Sequence, residues 1–273
     1  MATGAPGSMR PVDFIPFVEE LAKVSGEAIL PFFRTAIGAQ DKSRGGVFDP
    51  VTEADRAAEM AMRGMINAAF PDHGIIGEEF GAQREGAEYV WVLDPIDGTK
   101  SFIAGMPVWG TLIGLQHNGR PCYGMMHQPF TREHFYGDGT SASWRGAGLK
   151  GTQVERRLHT RDCGELAEAT LMTTHPALLG AEGLDPFRRV EAKVRLSRYG
   201  GDCYAYCMLA AGHVDLVIES GLKPYDVVAL VPIIEGAGGV ITTWRGDSAA
   251  NGGAIIAAGD RRLHDQALRL LNG

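Results

Sequence analysis

Phe14, Phe17, Val18, Leu21, Val24 and Ala28 recur at steps of one helical turn, which predicts an amphipathic first helix. The polar, glycine-rich stretch 38–49 follows as a loop. Thr52 and Asp55 have the spacing of a capping box and open a second helix that runs to about Ala69 and stops at Pro71-Asp72-His73-Gly74. Strand patterns come next. An apolar run covers 89–93, and the apolar stretches 108–116 and 121–127 flank Asn118-Gly119, a dipeptide suited to a tight hairpin. Residues 135–137 continue this antiparallel meander into a loop over 138–151.

The second half alternates. It reads as strand 170–174, helix 186–193, strand 194–198, helix 203–211, strand 214–219 and a helix from Asp226 to about Glu235. Strands 239–244 and 254–258 follow, and Asp260 caps a last helix carrying Leu263, Ala267, Leu270 and Leu271. A meander joined to helix–strand alternation predicts layered sheets and helices, an α+β (α/β layered) sandwich.

Composition narrows the classes. A chain of 273 residues with 45% hydrophobic and 22% charged positions has the make-up of a globular protein with a full core. Its formal net charge of −7 argues against nucleic acid as the main partner, although a cation can still bridge an acidic site to an anionic substrate. No apolar run is long enough for a transmembrane helix. Cys122, Cys163, Cys203 and Cys207 form no metal-type pair and read as reduced thiols of a cytoplasmic protein, Cys203 and Cys207 as core residues. Residues 1–8 are small and lack a signal-peptide core, so they read as a flexible start.

The chemistry centres on Asp94-Pro95-Ile96-Asp97-Gly98-Thr99 at the end of the strand. Pro95 stiffens the turn between the two acids, so both carboxylates and the Ile96 carbonyl can aim at one point. Hard divalent cations take oxygen sets of this kind. Gly98-Thr99 would set backbone N–H groups, at a helix start, against an anion. Taken alone, Gly77-Glu78-Glu79 reads as a solvated turn and Asp55 as the acid of a capping box, while Asp226 reads equally as an N-cap and as a ligand. Other phosphatase chemistries fit poorly. Ile96 stands two positions after Asp94, where an Asp-x-Asp pair would need an acid, and no cysteine is followed six positions later by arginine. Gly-x-Ser-x-Gly is absent, and the eight histidines show no zinc-type pair.

Val51-Thr52-Glu53-Ala54-Asp55, Gly77-Glu78-Glu79, the Asp94 to Thr99 string and Tyr225-Asp226 with Glu235-Gly236-Ala237-Gly238-Gly239 occur in the order seen in the inositol monophosphatase family, which this chain resembles from about Val12 onward. The resemblance implies an αβαβα sandwich of the inositol monophosphatase and fructose-bisphosphatase type. It implies a single domain over 9–273, with the metal motifs in 9–155 and a half that completes the site in 156–273. It also implies a homodimer and two or three Mg2+ per site, with Glu78, Asp94 and the Ile96 carbonyl on one cation and Asp94, Asp97 and Asp226 on a second. The catalytic residues would be Glu78 and Thr99, the latter linked to Asp55, which orient a water for in-line attack on phosphorus without a covalent phosphoenzyme.

Several positions depart from the inositol pattern. Lys100-Ser101-Phe102 follows Gly98-Thr99, Tyr225 replaces the usual tryptophan, and Arg198-Tyr199-Gly200-Gly201-Asp202-Cys203 carries an acid at Asp202. These features look like the histidinol-phosphate phosphatase branch. The histidinol phosphate this branch implies, a phosphorylated amino alcohol, carries an ammonium and an imidazole, to which a pocket carboxylate makes charge-assisted hydrogen bonds. The resemblance implies substrate contacts at Asp97, Gly98, Thr99, Glu219 and Asp226, with Asp202 for the amine and Arg198 near the phosphate or paired with these acids. Asp202 reads equally as an N-cap, and a broader inositol- or sugar-phosphate phosphatase is the alternative activity.

Overall fold

The computed structural model describes residues 14–35, 51–148 and 151–273, with side chains described from Glu53 in the second stretch. Two sheets organise the chain. The first holds β1 (Gly74–Gly77), β2 (Gly81–Gln83), β3 (Tyr89–Asp97), β4 (Gly110–His117), β5 (Arg120–Gln128), β6 (Glu133–Gly137), β7 (Ala142–Ala147) and β8 (Gln153–Arg157). Their order is β2-β1-β3-β4-β5-β6-β7-β8, antiparallel except where β1 runs parallel to β3. The second sheet, ordered β10-β9-β11-β13-β12, is built from β9 (Thr170–Thr173), β10 (Leu196–Tyr199), β11 (Leu216–Leu222), β12 (Val240–Thr243) and β13 (Gly253–Ala258).

Three helical layers alternate with these sheets. The outer face of the first sheet is covered by α1 (Ile15–Ile29) and α2 (Val51–Ala69), where Val18, Leu21, Met62 and Ile66 meet Trp91, Leu93, Ile113 and Met125. Between the sheets lie α5 (Asp202–Ala210) and α7 (Leu230–Gly236), whose Cys207, Leu209, Ile233 and Ile234 join Leu112, Phe135, Val217 and Ile255. Beyond the second sheet, α4 (Gly180–Glu191) and α8 (Arg261–Asn272) pack Phe187, Val190, Leu263 and Ala267 against Leu171, Ile218 and Ile256. The result is the αβαβα sandwich. The approach of the middle layer to the first sheet is tight at Gly124, where a Cβ would stand 1.8 Å from the Ala229 carbonyl oxygen.

Several elements differ from the sequence reading. The stretch 138–151, expected as a loop, contains β7, because Trp144 and its neighbours pair with β6 on one side and β8 on the other. The helix expected over 226–235 is two: α6 (Pro224–Val227) and α7. Pro232 explains the break, since it has no N–H to give to residue 228. The helix expected at 186–193 starts six residues earlier and runs through Pro186, with Gly183, Phe187 and Val190 buried along one face. The second helix is already formed at Val51, so Thr52 is not its N-cap, and Asp55 is its buried fifth residue. The loop expected over 38–49 lies outside the described residues. Asp260 caps α8 as expected, its carboxylate accepting the Arg262 N–H at 2.8 Å. All four cysteines are free thiols, and Cys163, Cys203 and Cys207 are buried.

Candidate metal and phosphate site

Asp94 and Asp97 lie within the C-terminal end of β3, where the register against β4 shifts between them. This bulge adds residues to one strand and turns side chains that strict alternation would separate. Asp94 is 2% exposed, and its Oδ1 accepts the Ile96 N–H at 3.0 Å, which closes the turn. Thr111 Oγ1 donates to the Pro95 carbonyl at 2.8 Å and lies 3.1 Å from Ser25 Oγ. The peptide between the acids is thereby tied to β4 and α1. The next carbonyl, that of Ile96, accepts the Thr99 hydroxyl at 3.4 Å. A short helix, α3 (Thr99–Ile103), starts on Gly98 at φ +88°, a left-handed conformation that glycine adopts without strain.

Asp226 reaches the same point from α6. Its Oδ2 accepts the Lys223 N–H at 2.6 Å, so this carboxylate caps its helix and faces the cluster at once. Asp97 Oδ2 accepts the Cys203 N–H at 2.7 Å and thus caps α5 from across the molecule. Asp94, Asp97 and Asp226 offer oxygens that all lie within 4.8 Å of one another. Glu78, at the rim on the turn after β1, comes within hydrogen-bonding reach of Asp94, and Asp55 of α2 is near enough to act on Asp94's charge.

The crowding shows in the titration of these groups. Burial pushes Asp94 well above the usual carboxylate range, and the charges of Asp97, Glu78, Asp226 and Asp55 add to it. Asp97 is raised well above its ordinary value by burial and then by Asp226 and Asp202. Burial also raises Glu78 and Asp226. Buried carboxylates that repel one another are relieved by a cation, and this all-oxygen donor set, with no thiolate or imidazole, fits Mg2+.

Beside the cluster lies a cavity of about 560 Å3 whose lining includes Lys100, Ser101, Thr174, His175, Tyr199 and Asp202. Asp202 is the first residue of α5, at φ +43°, and Gly201 rather than Asp202 holds the N-cap position. The Asp202 carboxylate instead accepts the Ser101 hydroxyl and is within reach of Thr174. A Cβ on Gly98 would stand 3.0 Å from Asp202, so the two motifs are in direct contact. Burial raises Asp202 above the usual carboxylate range.

The structure places the two remaining expected contacts differently. Glu219, on β11, is 4% exposed; its Oε1 accepts the Thr174 N–H at 2.6 Å and its Oε2 the Thr173 hydroxyl at 3.3 Å. Burial pushes its pKa up to about 7. It stands behind Thr174, one residue removed from Asp202. Arg198 is exposed on the edge strand β10 and is not among the residues lining the cavity, although its neighbour Tyr199 is.

Sequence reasoning missed Glu59. This α2 carboxylate accepts the Glu79 N–H at 2.7 Å, the Phe80 N–H at 3.2 Å and Arg63 Nε at 2.7 Å, and so pins the turn that carries Glu78. Its one signal was its place a helical turn after Asp55 on an otherwise apolar face.

Comparison with known proteins agrees with this geometry. The model of the inositol monophosphatase family matches residues 11–272. The chain is 47% identical over 262 residues to the bifunctional phosphatase IMPL2, chloroplastic, of Arabidopsis thaliana, covering 92% of this chain and 72% of that one. It is 33% identical over 256 residues to a histidinol-phosphatase of Chlorobaculum parvum, covering 93% and 95% of the two chains. A solved structure of an inositol monophosphatase from Zymomonas mobilis superposes with a TM-score of 0.86 at 41% identity, covering 97% of this chain and all of the other. With its fold, its acidic cluster and these relatives in agreement, the chain belongs to the inositol monophosphatase family of magnesium-dependent phosphatases.

Proposed function

We propose that this phosphatase hydrolyses L-histidinol phosphate to L-histidinol and phosphate. The observation that carries this reading is Asp202, a carboxylate on the cavity wall in contact with Gly98 of the metal motif. Burial makes its charge costly, and a substrate ammonium or imidazolium would offset that cost through a charge-assisted hydrogen bond. Histidinol-phosphatases of Chlorobaculum parvum and Mycobacterium tuberculosis, 33% and 35% identical, add support. A second reading, an inositol-1-phosphate or broad sugar-phosphate phosphatase, is favoured by the likeness to the Zymomonas mobilis enzyme.

In this proposal Glu78, Asp94 and the Ile96 carbonyl hold one cation, and Asp94, Asp97 and Asp226 hold a second, in a site of two or three Mg2+. The cations supply Lewis acidity toward the phosphoryl group and a lowered pKa for water. Glu78 and the Thr99 hydroxyl orient the attacking water, with Asp55 behind them. The N–H groups of Gly98 and Thr99 hold phosphate oxygens, and the alcohol leaves opposite the attack. Asp202 selects the amine end, with Glu219 behind Thr174 supporting that wall of the cavity. We also take residues 9–273 to form one domain, because α5 and α7 join both sheets in a single core.

Asp202→Asn tests the choice of substrate, since it keeps an acceptor for Ser101 and removes the charge. A charge-assisted bond contributes about 1.5–3 kcal/mol, so kcat/KM for L-histidinol phosphate should fall about 10- to 100-fold. That for inositol 1-phosphate should change little. Equal losses on both esters would mean that Asp202 only supports the fold, and the reading would fail.

A further inference from the structure

A second cavity, of about 520 Å3, lies on another face of α5, between that helix and strands β6 to β8. Its walls include the half-buried rings of Trp144 and Tyr204, and its rim carries Arg156, Arg157, His159 and His213. This size suits a small molecule, and aromatic walls with a few placed charges are the usual make-up of such sites.

The charges on this face are distributed unevenly. The Arg156 guanidinium stands 4.7 Å from the Trp144 ring centroid, and Arg157 donates to the Thr140 carbonyl at 3.4 Å. Among the described residues neither arginine has a carboxylate partner. The one carboxylate in the cavity, Glu133, is already committed. It accepts the Thr131 hydroxyl at 2.7 Å, the Trp144 indole N–H at 2.9 Å and the Tyr204 hydroxyl at 2.8 Å. Glu133 therefore fixes both rings in place, with both of its oxygens already taken by neutral donors. Two exposed arginines thus stand beside two immobilised rings.

We propose that this cavity binds a small planar ring bearing a phosphate- or carboxylate-type group, at a site separate from the acidic cluster. The ring packs against Trp144 and Tyr204, and Arg156 and Arg157 take the anionic end, an arrangement guanidinium groups serve well because they both stack and make paired hydrogen bonds. A phosphorylated or a carboxylated ligand would use the same contacts.

The test is isothermal titration calorimetry on the Mg2+-loaded enzyme. Phenylphosphonate, whose C–P bond resists hydrolysis, serves as one probe and benzoate as the other; methylphosphonate and benzyl alcohol present the anion and the ring alone. Saturable binding of at least one ring-bearing anion is expected, with each half alone about tenfold weaker or more. Which of the two binds more tightly identifies the anionic group. Binding should be lost in the Arg156→Glu/Arg157→Glu double variant and weakened in Arg156→Gln, both with wild-type melting temperature and turnover. Absence of saturable binding at millimolar concentration, equal binding by the two halves, or binding that survives in Arg156→Gln and in the double variant would each overturn the proposal. The last result would place the probe at the metal cluster instead.

Discussion

Glu59→Ala should destabilise the protein and weaken its Mg2+ response together. The Glu59 side chain is fully buried, and its carboxylate holds two backbone N–H groups of the Glu78 turn and the nearly buried Arg63. Truncation leaves Arg63 without its ion partner, a loss that costs about 3–5 kcal/mol for a buried pair. The two amide bonds to a charged acceptor would each contribute about 1.5–3 kcal/mol, but they share the same carboxylate, so about 4 kcal/mol is a fair total. Unfolding entropy near 60 °C is about 2.1 cal/mol/K per residue, or ~0.57 kcal/mol/K for this chain, so the melting temperature should fall by about 7 °C. The same truncation frees the Glu78 turn, so the Mg2+ concentration for half-maximal activity should rise about tenfold or more. Glu59→Gln keeps an acceptor and should fall between wild type and Glu59→Ala on both scales. Differential scanning calorimetry in EDTA and an Mg2+ titration of phosphatase activity read the two effects. A melting temperature within about 1 °C of wild type would refute the energetic argument. A large fall with an unchanged Mg2+ titration would refute the positioning argument.

Three further outcomes follow. Asp94→Asn should abolish Mg2+-dependent turnover yet melt at the wild-type temperature or higher in EDTA, because it removes one of several crowded charges; thermal melts with and without Mg2+ check both halves. Glu219 has a folded pKa raised from 4.5 to about 7, so its protonated form favours the folded state. That contribution, at most about 3 kcal/mol, is fully present below pH 4.5 and lost as pH rises through 7, and urea midpoints from pH 5 to 8 should fall less steeply for Glu219→Gln than for wild type. His127, stacked on His134 at 4.4 Å between ring centroids, has its pKa pushed down to about 3, chiefly by burial. Its neutral form favours the folded state, so stability should drop as pH falls from 6.5 toward 4, and His127→Phe should flatten that acid limb in the same urea series.

What the sequence made legible was local. The Asp94 to Thr99 string announced itself because Pro95 and Gly98 restrict the backbone around two acids that follow an apolar strand. Asp226 looked equally like an N-cap and a ligand, and its geometry shows why: one oxygen caps Lys223 while the side chain faces the cluster. Asp202 had the same double reading, but the capping of α5 is done by Asp97, a residue 106 positions away. No periodicity reveals a cap of that kind. Glu59, Thr111 and Ser25 were silent for the same reason, since their roles are bonds to segments 16 to 86 residues away. The split of α6 from α7 was missed although Pro232 carries its signal, whereas β7 was masked by small and polar residues that only partner strands turn into a sheet. Arg198 was drawn in by its sequence neighbours, but the edge strand β10 leaves it exposed.

The site proposed above makes this protein a Mg2+-dependent phosphatase selective for an amine-bearing ester. Steady-state kinetics on the wild-type enzyme, with L-histidinol phosphate and inositol 1-phosphate each measured in Mg2+ and in EDTA, test it most directly. Neither ester should turn over in EDTA, and kcat/KM in Mg2+ should be at least about tenfold higher for L-histidinol phosphate. Turnover that persists in EDTA, or a clear preference for inositol 1-phosphate, would contradict it.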